Sequence, residues 1–324
     1  MKSNYVERLM RLKQRKLEQT AEKIRVEGLL DEDDYGRVVP PEGLWNIKPN
    51  HEDGSFYGFD AWTDNFCSLM DVHPVYVDPD DAFAGRWMYF MSKMRPNKWN
   101  PDYPYDHLKE DIRKYDIICG IGDDAHFAPD YAMGLELGWG GIKEKLLYWK
   151  GINTLPEQQH FYDLHLRAVE SVQGWITRHI DHARRMAETE EDPGRKTALE
   201  EIAQTNEAII ENPPSTLRQA CQWIIWYHLA SRTYNRDGAG GQIDALLKPY
   251  YEKDLAEGRI DKDTAVYYLA CFLINDPIYW QLGGPDENGV DQTSEISYLI
   301  LDAADKINTS LNITVRVHDG LDKA

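Results

Sequence analysis

Between Asp130 and His318 the chain alternates long stretches of helical period with very short apolar runs. That imbalance restricts it to an α/β architecture with heavy helical cladding, a barrel or a layered sheet. The helical stretches run from Asp130 to Tyr148, Glu157 to Thr189, Gly194 to Glu211, Ser215 to Arg232, Gln242 to Glu257, Asp263 to Leu273 and Gln292 to Lys306. In the second, Leu164, Ala168, Val172, Trp175, Ile176 and Ile180 form one apolar side. Pro213-Pro214 stops the third, and Ser215 is placed to cap the fourth, which is apolar almost all round and therefore buried. Asp261 is the expected cap of the sixth. Strand signals are confined to Asp116–Gly122, Ile278–Leu282 and Asn312–His318.

The N-terminal part reads differently. Tyr5, Val6, Leu9, Leu12, Leu17 and Ile24 recur at helical spacing, and Gly28 ends that helix. From Leu29 to Asp81 the chain is acidic, broken by prolines and rich in aromatics, which predicts ordered loops packed on a body. The expected division is 1–115, an N-terminal helix with an aromatic loop region, and 116–324, a helical region with strands.

A hydrophobic fraction of 42% supplies a core. Lys and Arg number 36 against 55 Asp and Glu, a net charge of −19, which argues against nucleic acid or anionic lipid as the main partner. No run of eighteen apolar residues signals a membrane span, and the charged N-terminus lacks the apolar centre of a signal peptide. Cys67, Cys119, Cys221 and Cys271 are far apart and form no CxxC pair, so a disulfide framework and a zinc site are both unsupported. A reducing cytoplasm is the expected compartment.

Four clusters are candidates for chemistry. Asp123 to Tyr131 places His126 between a strand signal and a helix, where it is either a general acid–base or a loop histidine held by backbone. His160, Tyr162, His165, Glu170, His179 and His182 lie on the long helix. His179 and His182 have i,i+3 spacing, which suits either a metal or a solvated face near the helix end. Gly238-Ala239-Gly240-Gly241-Gln242 reads as a tight turn opening a helix, since the Walker lysine is missing. Gly283 to Thr293 has carboxylates like a calcium loop, but Gly289 is misplaced for one, so a turn that caps the next helix is expected.

Taken in order, these segments resemble one family. Asn235 to Asp254 (NRDGAGGQIDALLKPYYEKD) resembles the GRxDQxLxPYYxxD signature of glycyl radical enzymes, the pyruvate formate-lyase-like lyases and dehydratases. Leu282 to Leu299 resembles their xxGGxDxxGxDxTNExSYL motif, and AHFAPDYAMGLELGWGGI their GHxxPDYxxVLxxGLxGI. Asn212 to Ala220 resembles the PPxTFxEA segment, and NITVRVH the strand that follows. Departures are Gln242 for the usual Arg, Ala245 for Gln, Ser294 for Asn and Ala125 for the Gly before the histidine.

The resemblance implies part of a ten-stranded α/β barrel, the outer helices plus part of the first half-barrel. It implies anaerobic chemistry on a small polar molecule, with His126 catalytic and Tyr162 and Glu170 facing substrate. No metal ligand is implied. The family's radical cysteine lies in a GCxE-like segment and its stored glycyl radical in an RVxGY-like segment. Neither occurs between Met1 and Ala324. The resemblance therefore implies no cofactor in this chain, a glycyl radical installed elsewhere by a radical S-adenosylmethionine activase, and inactivity alone. A second polypeptide bearing those motifs and a homo-oligomer are the expected partners. The alternative is a non-catalytic relative used as a binding or assembly scaffold; a metal-dependent hydrolase built on His179 and His182 is a third.

Overall fold

The computed structural model describes residues 1–27, 45–86, 100, 102–117, 129–233, 239–275, 279–309 and 311–321. The helices are α1 (Ser3–Glu27), α2 (Phe59–Val72), α3 (Lys109–Lys114), α4 (Tyr131–Ile152), α5 (Pro156–Thr189), α6 (Pro193–Ile209), α7 (Leu217–Ser231), α8 (Ile243–Ala256), α9 (Lys262–Asn275) and α10 (Glu295–Ile307). The strands are β1 (Ala239–Gln242), β2 (Tyr279–Leu282) and β3 (Asn312–Val315). They form one parallel sheet in the order β1-β2-β3, with α8 and α9 crossing from β1 to β2 and α10 from β2 to β3. The apolar core extends from Leu9 in α1 to Ile307 in α10.

Periodicity and caps account for most of these elements. Pro156 opens α5 where a missing N–H costs nothing, and the α5 stripe of Leu164, Val172, Trp175, Ile176 and Ile180 is buried as expected. Asp192 caps α6 by accepting from the Arg195 N–H at 2.8 Å. Asp261 caps α9 by accepting from the Thr264 N–H at 2.9 Å. The cap of α7 is Thr216 and not Ser215: its hydroxyl accepts from the Gln219 N–H at 3.2 Å.

Glycines let α4 lie close to its neighbours. A Cβ on Gly134 would sit 1.9 Å from the Trp223 ring, and Gly138, at φ +64°, turns the helix against the Asn212–Pro213 backbone.

Four expectations are corrected. Within the supposed loop region Phe59–Val72 is a helix, with Ala61, Asn65, Leu69 and Met70 buried. Gly240 and Gly241 belong to strand β1, not to a turn; a Cβ at Gly240 would fall 2.1 Å from the Trp280 ring of β2, so only glycine lets these strands pair. Asp116 and Ile117 are not in a strand, and Asp116 has φ +50°; the rest of that run, Cys119 included, lies outside the described residues. In α1 the inward face carries Leu9, Leu12, Lys16 and Lys23, whereas Val6 and Leu17 are exposed. Arginines set that rotation. Arg11 forks onto Asp80 at 2.7 and 3.0 Å, and Arg15 reaches Asp78 at 2.7 Å and Asp80 at 2.8 Å.

The sheet is covered unevenly. In β2 Trp280 and Leu282 are buried against the helices while Tyr279 and Gln281 are exposed on the other face. β3 forms one edge, and Asn312, Thr314 and Val315 are exposed. All-parallel sheets ordinarily bury both faces.

Candidate functional site

A cleft of about 310 Å³ opens at the end of β1. Its walls are Pro129, Asp130, Tyr131 and Ala132 on one side, and Gly240, Gly241, Gln242, Ala245 and Leu246 on the other. The carboxyl ends of parallel strands are where α/β folds open their sites. Asp130 is fixed as the cap of α4, accepting from the Met133 N–H at 3.2 Å. Tyr131 is held by its ring against Tyr227, centroids 5.7 Å apart, and against Trp280 at 6.1 Å. The floor is thus glycine backbone and aromatic surface, with a carboxylate and an amide at hand. Such a cleft suits a small polar molecule.

Between the lining residues Gln242 and Ala245 in sequence, Asp244 joins three elements. Fully buried, its carboxylate accepts from the Gly283 N–H at 2.8 Å, the Ser297 hydroxyl at 2.5 Å and the Ala245 N–H at 2.9 Å. Three donors satisfy the carboxylate oxygens that burial removes from water. Gln242 donates its amide to the Gly283 carbonyl at 2.5 Å, so the residue that replaces the expected arginine ties β1 to the turn after β2. Gly283 and Gly284 take φ +62° and +90°, packed under Thr293 and Arg316. In the following turn Asp286 accepts from the Asn288 and Val290 N–H groups, each at 2.9 Å, so its carboxylate closes a structured turn, whereas the cap of α10 is Ser294, just beyond the Gly283–Thr293 stretch expected to supply it.

Two further nodes use the same sequence segments. The Tyr251 hydroxyl donates to Glu295 at 2.7 Å, and burial together with that bond pushes the phenol's pKa up. Lys262 also pairs with Glu295 and holds its carboxyl below the usual range. Asp254, buried at the end of α8, accepts from the Leu217 N–H at 2.7 Å and the Arg259 guanidinium at 2.8 Å.

The expected site residues are placed as follows. His126 lies outside the described residues; Pro129 and Asp130, just after it, form the cleft wall. Tyr162 is half-buried on α5, and its hydroxyl accepts from Asn153 at 2.9 Å. Glu170 is exposed on the same helix. Neither lines the cleft, which α5 does not reach. His179 is not on a solvated face. It is fully buried, donates through Nδ1 to the Trp175 carbonyl at 2.9 Å and accepts through Nε2 from the Tyr76 N–H at 3.0 Å. Both ring nitrogens are committed, so it cannot bind a metal, and no metal-ligating group of three is found among the described residues. Cys67, Cys221 and Cys271 are buried free thiols. Sequence reasoning missed Tyr131 and Asp244 as individual residues, although both stood inside the quoted motifs.

Comparison with known proteins gives these features a common origin. Residues 103–324 match the family described as Pyruvate formate lyase-like. An isethionate sulfite-lyase from Nitratidesulfovibrio vulgaris is 30% identical over 204 residues, covering 53% of this chain and 24% of that protein. A trans-4-hydroxy-L-proline dehydratase from Clostridioides difficile is 30% identical over 165 residues, 43% of this chain and 21% of its own length. The fold aligns with a glycyl radical enzyme from Archaeoglobus fulgidus at a TM-score of 0.73 and 17% identity, covering 98% of this chain and 48% of that one. The chain thus spans about half of that structure, and its match takes in about a quarter of each curated relative. Its helix-rich α/β fold corresponds to part of the barrel of glycyl radical enzymes. The chain belongs to the pyruvate formate lyase-like family.

Proposed function

We propose that this chain supplies the outer helices and part of the first half-barrel of a glycyl radical lyase or dehydratase, and that the cleft at the end of β1 is one wall of its substrate chamber. The observation that carries this is the convergence of the quoted motifs on one end of the sheet. PDY provides Asp130 and Tyr131, GGQID provides the opposite wall and Asp244, and LGG and SEIS provide the groups that hold Asp244. In this reading His126, on the segment that leads into Pro129, is the acid–base group toward substrate. The radical cysteine and glycine come from sequence not present in Met1–Ala324, on a second polypeptide or a further segment, and a radical S-adenosylmethionine activase installs the radical. The chain by itself is inactive.

The test is anoxic reconstitution. The chain is incubated with an activase and with or without a polypeptide bearing GCxE-like and RVxGY-like segments. The panel is isethionate and trans-4-hydroxy-L-proline, named with its curated relatives, and glycerol and 1,2-propanediol, named with two solved dehydratase structures of similar fold at 16% and 17% identity. A glycyl radical signal and turnover are expected only with the second polypeptide, and turnover is expected to be lost in His126→Ala. Turnover by the chain alone overturns the reading. Association without any radical or turnover favours the scaffold alternative.

A further inference from the structure

A second cavity lies away from the cleft, between α2 and α5. It has a volume of about 450 Å³ and is lined by Phe59, Trp62, Thr63, Phe66, His165 and Ala168. The α2 residues have i, i+3, i+4, i+7 spacing and so present one continuous wall. Opposite, Ala168 is short and leaves room between the helices. A further void of about 120 Å³ shares Phe66 and Ala168 as walls and is also lined by Val172 and Tyr227. An apolar void of about 150 Å³ is enough to hold benzene, so the volume suffices for one ring in a pocket whose mouth, at Phe59 and His165, is open to solvent.

The polar groups at the mouth narrow the ligand further. His165 Nδ1 lies 2.8 Å from the Phe161 carbonyl, which can only accept, so Nδ1 is the donor and Nε2 is the ring nitrogen left to accept. Thr63 adds one hydroxyl. Both rim carboxylates already have partners: Asp60 is hydrogen-bonded to His160 Nε2 at 2.6 Å, and Asp64 is ion-paired with Arg167 at 2.7 Å. The one arginine of these two contacts is committed to Asp64 and both carboxylates are engaged, so neither an anionic nor a cationic ligand finds an uncommitted partner in them. The exposed Phe59 ring, edge-on to Phe161 with centroids 6.1 Å apart, extends the aromatic surface outward.

We infer that the cavity between α2 and α5 is a binding site for a small, neutral, monocyclic aromatic molecule bearing one hydroxyl or N–H donor, with the ring between Trp62, Phe66 and Ala168 and the donor on His165 Nε2. The site is independent of the radical chemistry proposed above, and its test needs no turnover.

The probes are para-fluorophenol and para-fluoroanisole, which lacks the donor, titrated into the chain and followed by fluorine NMR. Saturable binding of the phenol is expected, about five-fold tighter than the anisole, the scale of one net hydrogen bond. His165→Ala should erase that five-fold preference while both probes still bind. Ala168→Trp should abolish binding of both; Ala168→Leu, a smaller filling change, should weaken it at least three-fold if the tryptophan variant does not fold. Circular dichroism and a melting curve establish that each variant is folded. Non-saturable shifts, or binding that folded Ala168 variants leave unchanged, overturn the site. Equal affinity for phenol and anisole overturns the donor assignment.

Discussion

Asp244 is the residue on which the region around the cleft depends most. It is buried and satisfied by donors from the turn after β2, from α10 and from its own helix. Asp244→Ala leaves those donors unpaired and is expected to cost about 2–4 kcal/mol in urea unfolding. Asp244→Asn keeps the shape but introduces a donor facing donors, and should cost a comparable amount. Gly240→Ala is a separate test of close approach, since a Cβ has no room above Trp280. A loss of about 1–3 kcal/mol is expected there, the usual scale of overpacking. Both residues stood in quoted motifs, but a motif does not say whether a residue carries chemistry or holds the strands. Here the structure assigns Asp244, Tyr251, Asp254 and Glu295 to the scaffold. Tyr162 and Glu170 show the converse: a spacing of eight on one helix gives a shared side, yet Asn153 takes the phenol and Glu170 faces outward.

At the scale of elements, α4 to α10 were legible because each shows an apolar stripe or, in α7 and α9, an apolar surface almost all round, and because Asp130, Pro156, Asp192, Thr216 and Asp261 mark the starts of five of them. The helix α2 was not, since prolines and aromatics around it suggested loops, and its burial against α5 is a tertiary effect. The four-residue strand β1 was hidden by its glycines: Gly240 leaves room for Trp280 of a distant segment, and Gly241 takes φ +72°. His179 is illegible for the same reason: its partner Tyr76 lies 103 residues earlier. That histidine pins the 74–76 chain to α5, and His73 packs beside it on Trp175.

Burial lowers the pKa of His73 to about 4 and that of His179 to about 3. A depressed histidine pKa means the unfolded chain takes up protons first. Stability is therefore complete above the unfolded value of 6.5 and falls as pH drops toward 4 and 3, at up to about 1.4 kcal/mol per pH unit per histidine. Buried Asp81 acts in the opposite sense. Desolvation raises its pKa to about 6, so its contribution is fully present below the unfolded carboxylate value and lost as pH rises through 6. Two histidines outweigh one carboxylate, and net destabilisation is expected between about pH 6 and 4. His179→Gln should reduce that pH slope by about one proton in urea titrations; an unchanged slope would show that the buried ring does not govern it. The α1 latch gives a second test. Arg15→Ala is expected to leave the Asp78–Asp80 turn short of one cation and to raise hydrogen exchange across α1 before the rest of the chain unfolds.

At the scale of the whole molecule, the sheet explains why this chain invites completion. Three parallel strands are packed on one face, while Tyr279, Gln281, Asn312 and Thr314 stand open on the other and β3 has a free edge among the described residues. The helical layer and the family were readable from sequence; the open face was not, because strand alternation names a face without saying what covers it. In our account the rest of a barrel, with the radical residues, closes over this face and over the cleft beside Tyr131.

The most direct test is hydrogen exchange, measured on the chain before and after addition of the polypeptide that carries the GCxE-like and RVxGY-like segments. The account predicts strong new protection in Asn312–Val315 and Tyr279–Leu282, with α5 and α6 unchanged. Protection confined to the outer helices, or none at all with the two polypeptides stably bound, would contradict it.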